Sequence, residues 1–363
     1  MKNNKIELTL LIAVILISIL GIIMIYSASN IWAEYKFNDP YKYLKNQSLF
    51  FIIGLILLYF VSKINYKKYY KYSNKLLFIC TVLLILVLIP GIGSVRNGSR
   101  SWFGIGSFGI QPSEFAKLGL IIFTSKYLYN NPNSMKSIKR GVIPILLITF
   151  LIFGLIMLQP DFGTGFIIIV SIIGILFIAG LDIKIFIRFG ILGVFGIVGL
   201  IIIAPYRLKR ILSFLNPWSD PLGSGFQIIQ SLYSIGPGGL FGLGFGNSIQ
   251  KHFYLPEPQT DFIFSIISEE FGIIGILIIS VLFITIFYSS FKISIKCEDL
   301  FGKYLSFGIT FGLLFQTLLN LSVVVGLVPV TGVTLPFLSY GGSSLIITMI
   351  SIGIVLNISR YVR

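Results

Sequence analysis

The chain has 363 residues, of which 55% are hydrophobic and only 11% are charged, and its mean hydropathy is +0.93. A soluble domain carries charge on about a quarter of its residues, so this composition excludes an ordinary soluble protein. The formal net charge of +15 does not by itself indicate nucleic-acid binding, because the basic residues of membrane proteins collect in cytoplasmic loops. We therefore predict an all-α polytopic membrane protein that binds no nucleic acid.

Apolar runs that are long enough to cross a bilayer recur along the whole chain and predict ten transmembrane helices. They cover about residues 7–28, 47–62, 76–90, 112–129, 141–158, 163–180, 184–204, 262–291, 303–327 and 335–358. The first run resembles a signal peptide, but its length and the second run behind it predict a helix that is retained. The fifth, sixth and seventh runs are the least clearly separated, with Asp161 and the pair Asp182/Lys184 at the turns.

The distribution of basic residues predicts the topology. Eighteen Lys and Arg fall on one side of the spans and nine on the other, with Lys117 inside a span. Because cytoplasmic loops carry the excess of Lys and Arg, we expect both termini in the cytoplasm and the loop of about residues 205–261 outside. The whole chain, 1–363, is expected to form one membrane domain. Neither a disulfide between Cys80 and Cys297 nor a His-rich metal site around the single His252 is expected.

The predicted outer loop before the fourth span carries Arg96 and Arg100, against the general charge trend. Their position indicates an anionic ligand rather than a role in topology. The span itself begins at Pro112, next to Gln111, since proline suits the first turn of a helix. 

Glu114 and Lys117 follow three residues apart, on one face of that helix. We expect them to pair, because an unpaired charge within a span costs about 3 kcal/mol. The pair either fixes the packing of helices or contacts substrate, and the pattern allows both.

The long outer loop has two parts. Residues 205–232 mix basic residues with Phe214, Trp218 and Phe226, as in a segment that lies on the membrane surface. Residues 236–246 are rich in glycine, and such a run can present amides to a phosphate. It matches no phosphate-binding fingerprint, so a flexible outer loop is the favoured interpretation.

The stretch KHFYLPEPQTDFIFSIISEE, residues 251–270, leads into the eighth span. Pro256 and Pro258 prevent a helix at its start, and Thr260 or Asp261 is placed to cap the helix that follows. A carboxylate is thus placed at the mouth of a membrane helix, facing the outer loop. 

Asp261 is either a helix cap only or a residue with a chemical role. Glu257, Glu269 and Glu270 in the same stretch favour a chemical role, because acids in or near a span are costly. Further on, the small residues at 339–344, among them Ser339, either allow close helix packing or line a polar cavity.

Taken together, these stretches resemble the SEDS family (shape, elongation, division and sporulation). The resemblance rests on NGSRSW with QPSEFAK, on QPDFGTG, on GPGGLFGLGFGNSIQKHFYLPEPQTDFIFSIISEE and on PVTGVTLPFLSYGGSS, in this order along essentially the whole chain. The sequence LPEPQTDFIF resembles the FtsW/SpoVE branch of the family more closely than RodA.

The resemblance implies a peptidoglycan glycosyltransferase that polymerises lipid II into glycan strands at the outer face of the plasma membrane. It implies a class B penicillin-binding protein as transpeptidase partner, and a role in division, shape or sporulation. It also places the family's essential aspartate at Asp261, its fourth-helix acid and lysine at Glu114 and Lys117, and its loop arginine at Arg100.

Asp261 is accordingly the predicted catalytic residue, as the general base that deprotonates a sugar hydroxyl. The predicted substrate-binding residues are Arg96, Arg100, Gln111, Glu114, Lys117, Arg210, Lys251, Glu257, Thr260 and Ser339. The cations among them are expected to hold the pyrophosphate, helped by a divalent cation, Mg²⁺ or Mn²⁺, and no organic cofactor is expected.

Two other classes of function fit the composition. A transporter that flips lipid-linked cell-wall precursors would also have about ten spans, intramembrane charges and many glycines. A non-catalytic scaffold would tolerate the loss of the Asp261 carboxylate. Carboxylates in an outer loop favour chemistry at the outer face over transport, since a transporter keeps its important charges near mid-membrane.

Overall fold

A computed structural model of the chain describes residues 4–96, 98–104, 109–132, 135, 137–203, 208 and 212–362. Its helices are α1 (Asn4–Phe37), α2 (Lys42–Lys63), α3 (Lys67–Leu88), α4 (Pro112–Asn130), α5 (Ile143–Met157), α6 (Phe162–Ile178), α7 (Ile183–Ile203), α8 (Phe226–Ile235), α9 (Ile263–Lys296), α10 (Leu300–Val324) and α11 (Gly342–Ser359). The strands β1 (Ser94–Arg96) and β2 (Ser99–Trp102) form an antiparallel hairpin.

The architecture is that of an all-α polytopic membrane protein. Within the described ranges, seven helices are long and apolar enough to cross a membrane, and α6 is a shorter apolar helix. A helix lies at each of the ten predicted positions, and α5, α6 and α7 are separate. The number of helices that actually span the bilayer, ten, remains a prediction.

Several predicted boundaries are wrong by more than a turn. Helix α1 continues to Phe37 rather than ending near 28, and α3 begins at Lys67 rather than near 76. The last helix begins at Gly342 rather than at 335. Its predicted first turn is irregular because Phe337 has a φ of +67° and the hydroxyl of Ser339 accepts a hydrogen bond from the amide of Leu335 at 2.8 Å.

The long outer loop is more structured than the sequence suggested. It contains helix α8, and its glycine-rich run packs on α9 at the point where Gly272 breaks the helix with a φ of +57°. The amides of Leu243 and Gly244 donate to the carbonyls of Glu269 and Glu270, at 2.9 and 3.0 Å. The run is therefore fixed on α9 at Leu243 and Gly244, and the amides of these two residues are not available to a phosphate.

Helices α4, α6 and α10 pack closely around the region that the sequence marks as the site. Glycines make this possible: a Cβ on Gly312 of α10 would lie only 2.7 Å from the hydroxyl of Ser171 on α6. Helix α11 packs mainly against α2 and is the most buried of the candidate spans. The site therefore lies among rigid, closely packed helices.

Candidate active site

The segment that carries Asp261 lies immediately before α9. The helix begins at Ile263, and its N-cap residue is Phe262, whose side chain makes no capping hydrogen bond. The expectation that Thr260 or Asp261 caps this helix is therefore wrong. The hydroxyl of Thr260 bonds instead to the carbonyl of Glu257, at 2.9 Å, within the turn that precedes the helix.

The backbone of this segment is held at three consecutive carbonyls. The Gln259 carbonyl accepts from the amide of Tyr340 at 2.8 Å, and the Thr260 carbonyl from the hydroxyl of Ser339 at 2.6 Å. The Asp261 carbonyl accepts from the side-chain amide of Asn320 at 2.8 Å. The donors come from α10 and from the segment before α11, so Asp261 is fixed relative to both.

The half-buried carboxylate of Asp261 lies alongside backbone that has no side chain at that point. A Cβ on Gly332 would be 3.8 Å from Asp261 Oδ2. Because Gly332 also has a positive φ of 75°, a conformation that favours glycine, the chain can pass close to the acid without filling the space beside it.

A buried cationic network lies next to this segment. Lys117 Nζ is 2.8 Å from Glu114 Oε2 and 2.9 Å from Gln316 Oε1. The side-chain amide of Gln316 donates in turn to the carbonyl of Thr334, at 3.0 Å. The predicted Glu114–Lys117 pair is confirmed. Thr334 follows two residues after Gly332, which connects the pair to the surroundings of Asp261.

A second carboxylate belongs to the same polar region. Gln111 donates through its side-chain amide to Asp161 Oδ2 at 2.9 Å, while Asp161 Oδ1 accepts from the amide of Thr164 at 3.1 Å and caps α6. Removal from water raises the pKa of Asp161, and the charge of Glu114 adds to the effect. The sequence marked Asp161 only as a turn residue, although it lies in the QPDFGTG motif.

Arg96 lies on the hairpin with its guanidinium 4.8 Å from the ring centre of Trp102 and close against Gly109. Its Nη2 atom is buried and makes no hydrogen bond to any described residue. Burial lowers the pKa of Arg96, and the phenol of Tyr340 is close enough to counteract part of this shift. A buried guanidinium nitrogen without a partner costs free energy, and an anion bound there would remove this cost.

Comparison with known proteins identifies the family. The family model for cell cycle proteins of the FtsW, RodA and SpoVE type matches residues 7–363. Stage V sporulation protein E of Bacillus subtilis (strain 168) is 51% identical over 100% of this chain and 99% of that protein. The chain belongs to the FtsW/RodA/SpoVE family.

Other family members agree with this assignment. A probable peptidoglycan glycosyltransferase FtsW of Geobacter sp. (strain M18) is 39% identical over 98% of this chain and 97% of its own. The crystal structure of rod shape determining protein RodA from Thermus thermophilus aligns with a TM-score of 0.72 at 30% identity, over 97% of this chain and 95% of that one. A chain from a peptidoglycan synthase complex aligns with a TM-score of 0.77 at 31% identity, over 97% and 96%.

Lys251 of this FtsW/RodA/SpoVE chain is engaged inside the protein. It is only 4% exposed, and its ammonium donates to the carbonyl of Gly246 at 2.6 Å and lies 3.6 Å from Glu270 Oε1. Its charge thus stabilises the glycine-rich loop against α9. A role for Lys251 in holding pyrophosphate remains a prediction, and this geometry gives it no support.

The other predicted substrate contacts are dispersed. Arg100 is on β2 next to Gly93, and Glu257 is exposed in the turn before Asp261. The hydroxyl of Ser339 is already bonded to two backbone groups. Arg210 lies outside the described residues. Lys117 and Glu114 are connected through Gln316 to Thr334, two residues after the Gly332 backbone that lies beside Asp261. Arg96 packs against Gly109, two residues before Gln111.

Proposed function

We propose that this chain is a peptidoglycan glycosyltransferase that polymerises lipid II into glycan strands at the outer face of the plasma membrane. Its membership of a family whose named relatives include peptidoglycan glycosyltransferases supports this proposal. The observation that carries it is the placement of Asp261. The carbonyls of Gln259, Thr260 and Asp261 are all hydrogen-bonded, and the carboxylate lies beside the backbone of Gly332, where no side chain fills the space. A carboxylate on a backbone that is fixed in this way has a defined position, which suits a catalytic group.

In the proposed reaction Asp261 acts as general base. It takes the proton from a hydroxyl of the acceptor sugar, and the oxygen then attacks the anomeric carbon of the donor. The bond between that carbon and the pyrophosphate oxygen breaks, and the lipid pyrophosphate leaves with the electron pair. A single displacement of this kind inverts the anomeric configuration.

The departing pyrophosphate needs positive charge. Arg96 is the best-placed cation that the structure describes, because its Nη2 atom is buried without a partner, and a guanidinium suits phosphate oxygens. Arg100, one strand away on the same hairpin, is the second candidate. The ammonium of Lys117 already donates to Glu114 and Gln316, so we assign it a structural role in the site.

A divalent cation would add further charge stabilisation at the pyrophosphate. Within the described ranges, no three side chains of His, Cys, Asp or Glu form a cluster that could hold a metal. Mg²⁺ in many phosphate-transfer sites is bound largely by substrate phosphates and water, so a divalent cation here would be held mainly by the pyrophosphate of the substrate.

A transporter of lipid-linked precursors is the competing proposal, and the buried Glu114–Lys117 pair favours it. However, these residues are the third and sixth of α4, within about 9 Å of the helix end at a rise of 1.5 Å per residue. We therefore expect the pair near one face of the membrane rather than at mid-depth. Its position agrees better with chemistry at the surface.

Purified protein and lipid II in detergent separate the two proposals, because no membrane side exists there. We expect glycan strands from the wild type, none from Asp261→Asn, and strands from the control Asp39→Asn, which alters an exposed acid paired with Lys45. Absence of product from the wild type, even with its partner added, would favour transport.

We further propose that the partner is a class B penicillin-binding protein, which crosslinks the strands. A structural neighbour of this chain comes from a complex that coordinates polymerization and crosslinking. Polymerisation by the purified chain should rise when its cognate transpeptidase is added. An unchanged rate over a range of partner concentrations would count against this assignment.

A further inference from the structure

A cleft of about 310 Å³ lies between the first turns of α1 and the last turns of α9, far from the candidate active site. Its wall includes Lys5 and Thr9 from α1 and Tyr288 and Lys292 from α9. Ser27 of α1 contacts Glu270 near the break in α9, and the 22 residues from Lys5 to Ser27 rise by about 33 Å. The cleft is thus about one membrane thickness away from that contact.

The cleft carries positive charge that no acid compensates. Among the described residues, neither Lys5 nor Lys292 forms an ion pair, and Lys292 Nζ lies 5.4 Å from the ring centre of Tyr288. Glu7, the nearest acid along α1, accepts a hydrogen bond from Ser359 of α11 at 2.9 Å. Its carboxylate is therefore engaged with α11.

Apolar stripes extend from the cleft along both helices. On α1, Leu8, Ile12 and Leu16 are exposed at a spacing of four residues. On α9, Val281 and Ile284 are 60% and 66% exposed. Such side chains on a membrane helix face acyl chains, so the two lysines lie at the end of an apolar path.

We propose that this cleft binds one anionic phospholipid, with its phosphate between Lys5 and Lys292 and its acyl chains along the exposed faces of α1 and α9. Basic pockets between membrane helices bind anionic head groups in this way. The positive-inside topology predicts that the cleft lies on the cytoplasmic side. The phenol of Tyr288 offers a further polar contact to a head group, whereas the hydroxyl of Thr9 donates to the carbonyl of Lys5 at 2.7 Å.

Native mass spectrometry of the purified full chain tests this proposal. The probes are dioleoylphosphatidylglycerol, dioleoylphosphatidylcholine and inorganic phosphate. The site variant is Lys5→Gln/Lys292→Gln, and the control is Lys67→Gln/Lys68→Gln, which removes the same charge from exposed positions at the start of α3.

We expect the site variant to bind the first phosphatidylglycerol roughly 30-fold more weakly than the wild type, since each of the two lysines contributes about 1 kcal/mol near a lipid surface. The control should bind as the wild type does, and phosphatidylcholine should bind weakly to all three. Equal losses in both variants would show diffuse charge attraction and would overturn the proposal. Displacement of the lipid by millimolar inorganic phosphate would also overturn it, because the site would then be one for free anions.

Photolabelling of the wild type gives a second readout that does not depend on the variants. A phosphatidylglycerol with a diazirine in its acyl chain should label peptides from residues 8–16 and 277–288. Labelling spread evenly over all membrane helices would contradict a single site.

Discussion

Asp261 and the pair Glu269/Glu270 lie within ten residues of each other, yet the structure gives them opposite surroundings. Glu269 and Glu270 are completely buried, and hydroxyl and amide groups of the outer loop donate to their carboxylates. Asp261 is half-buried, and its backbone carbonyl accepts a hydrogen bond from the side-chain amide of Asn320.

The difference shows that neighbouring acids of one stretch can have different roles. The glutamates hold the glycine-rich loop on α9, and the hydroxyl of Ser27 on α1 donates to the carboxylate of Glu270, with its oxygen 2.6 and 2.8 Å from the two carboxylate oxygens. These packing contacts lie on α9, within ten residues of the turn that carries Asp261. Acids near a membrane span can therefore be kept for packing as well as for chemistry, and complete burial distinguishes the two glutamates from Asp261.

The largest effect is expected at Asp261. Asp261→Asn should lower polymerisation of lipid II by about 100- to 10,000-fold, the usual contribution of a general base. The thermal midpoint in detergent should change little, because no hydrogen bond of the backbone is removed. A variant that still polymerises at the wild-type rate would remove Asp261 from the reaction.

Glu270→Gln should show the opposite pattern, with a loss of stability before any effect on chemistry. The substitution leaves the Lys251 ammonium buried without a counter-charge, which costs about 3–5 kcal/mol. Thermal unfolding of the purified variant measures this loss.

The double variant Glu270→Gln/Lys251→Met serves as its control. Because it removes both charges, it should recover much of the lost stability. If the double variant is less stable than Glu270→Gln alone, the ion pair is not the cause of the loss.

Local patterns predicted a good part of this fold. Apolar length placed the ten long helices, and the spacing of three residues predicted the Glu114–Lys117 pair, which depends on one helix alone. The stretch around Asp261 was found because proline, acid and apolar run follow each other directly in the chain.

The rest depends on contacts between distant parts of the chain. Lys251 was assigned to pyrophosphate because its partner Glu270 is brought to it only by the folding of the loop. The cap of α9 was misplaced because Thr260 bonds back to Glu257, an arrangement that the positive φ of 47° at Glu257 permits. The hairpin that carries Arg96 is too short to give a periodic pattern.

The fit between the glycine-rich loop and α9 gives a smaller effect. A Cβ on Gly272 would lie 2.6 Å from the Gly238 carbonyl, and its φ of +57° is strained for any other residue. We expect Gly272→Ala to destabilise the protein by about 1–3 kcal/mol. Gly154→Ala is the matched control, since its Cβ meets no atom within 4 Å in the last turn of α5, and alanine should be neutral or stabilising there.

The smallest expected effect is at Ser339, whose hydroxyl bonds to Thr260, the residue next to the proposed base. Ser339→Ala leaves the Leu335 amide and the Thr260 carbonyl without the hydroxyl that joins them, a loss of about 1 kcal/mol. Because that hydroxyl positions the residue next to Asp261, the rate of polymerisation should fall several-fold with little change in lipid II affinity. Ser306→Ala is the control, since the Ser306 hydroxyl bonds only within its own helix. If both variants lose stability equally and neither loses rate, the hydrogen bonds of Ser339 stabilise the fold without aligning the base.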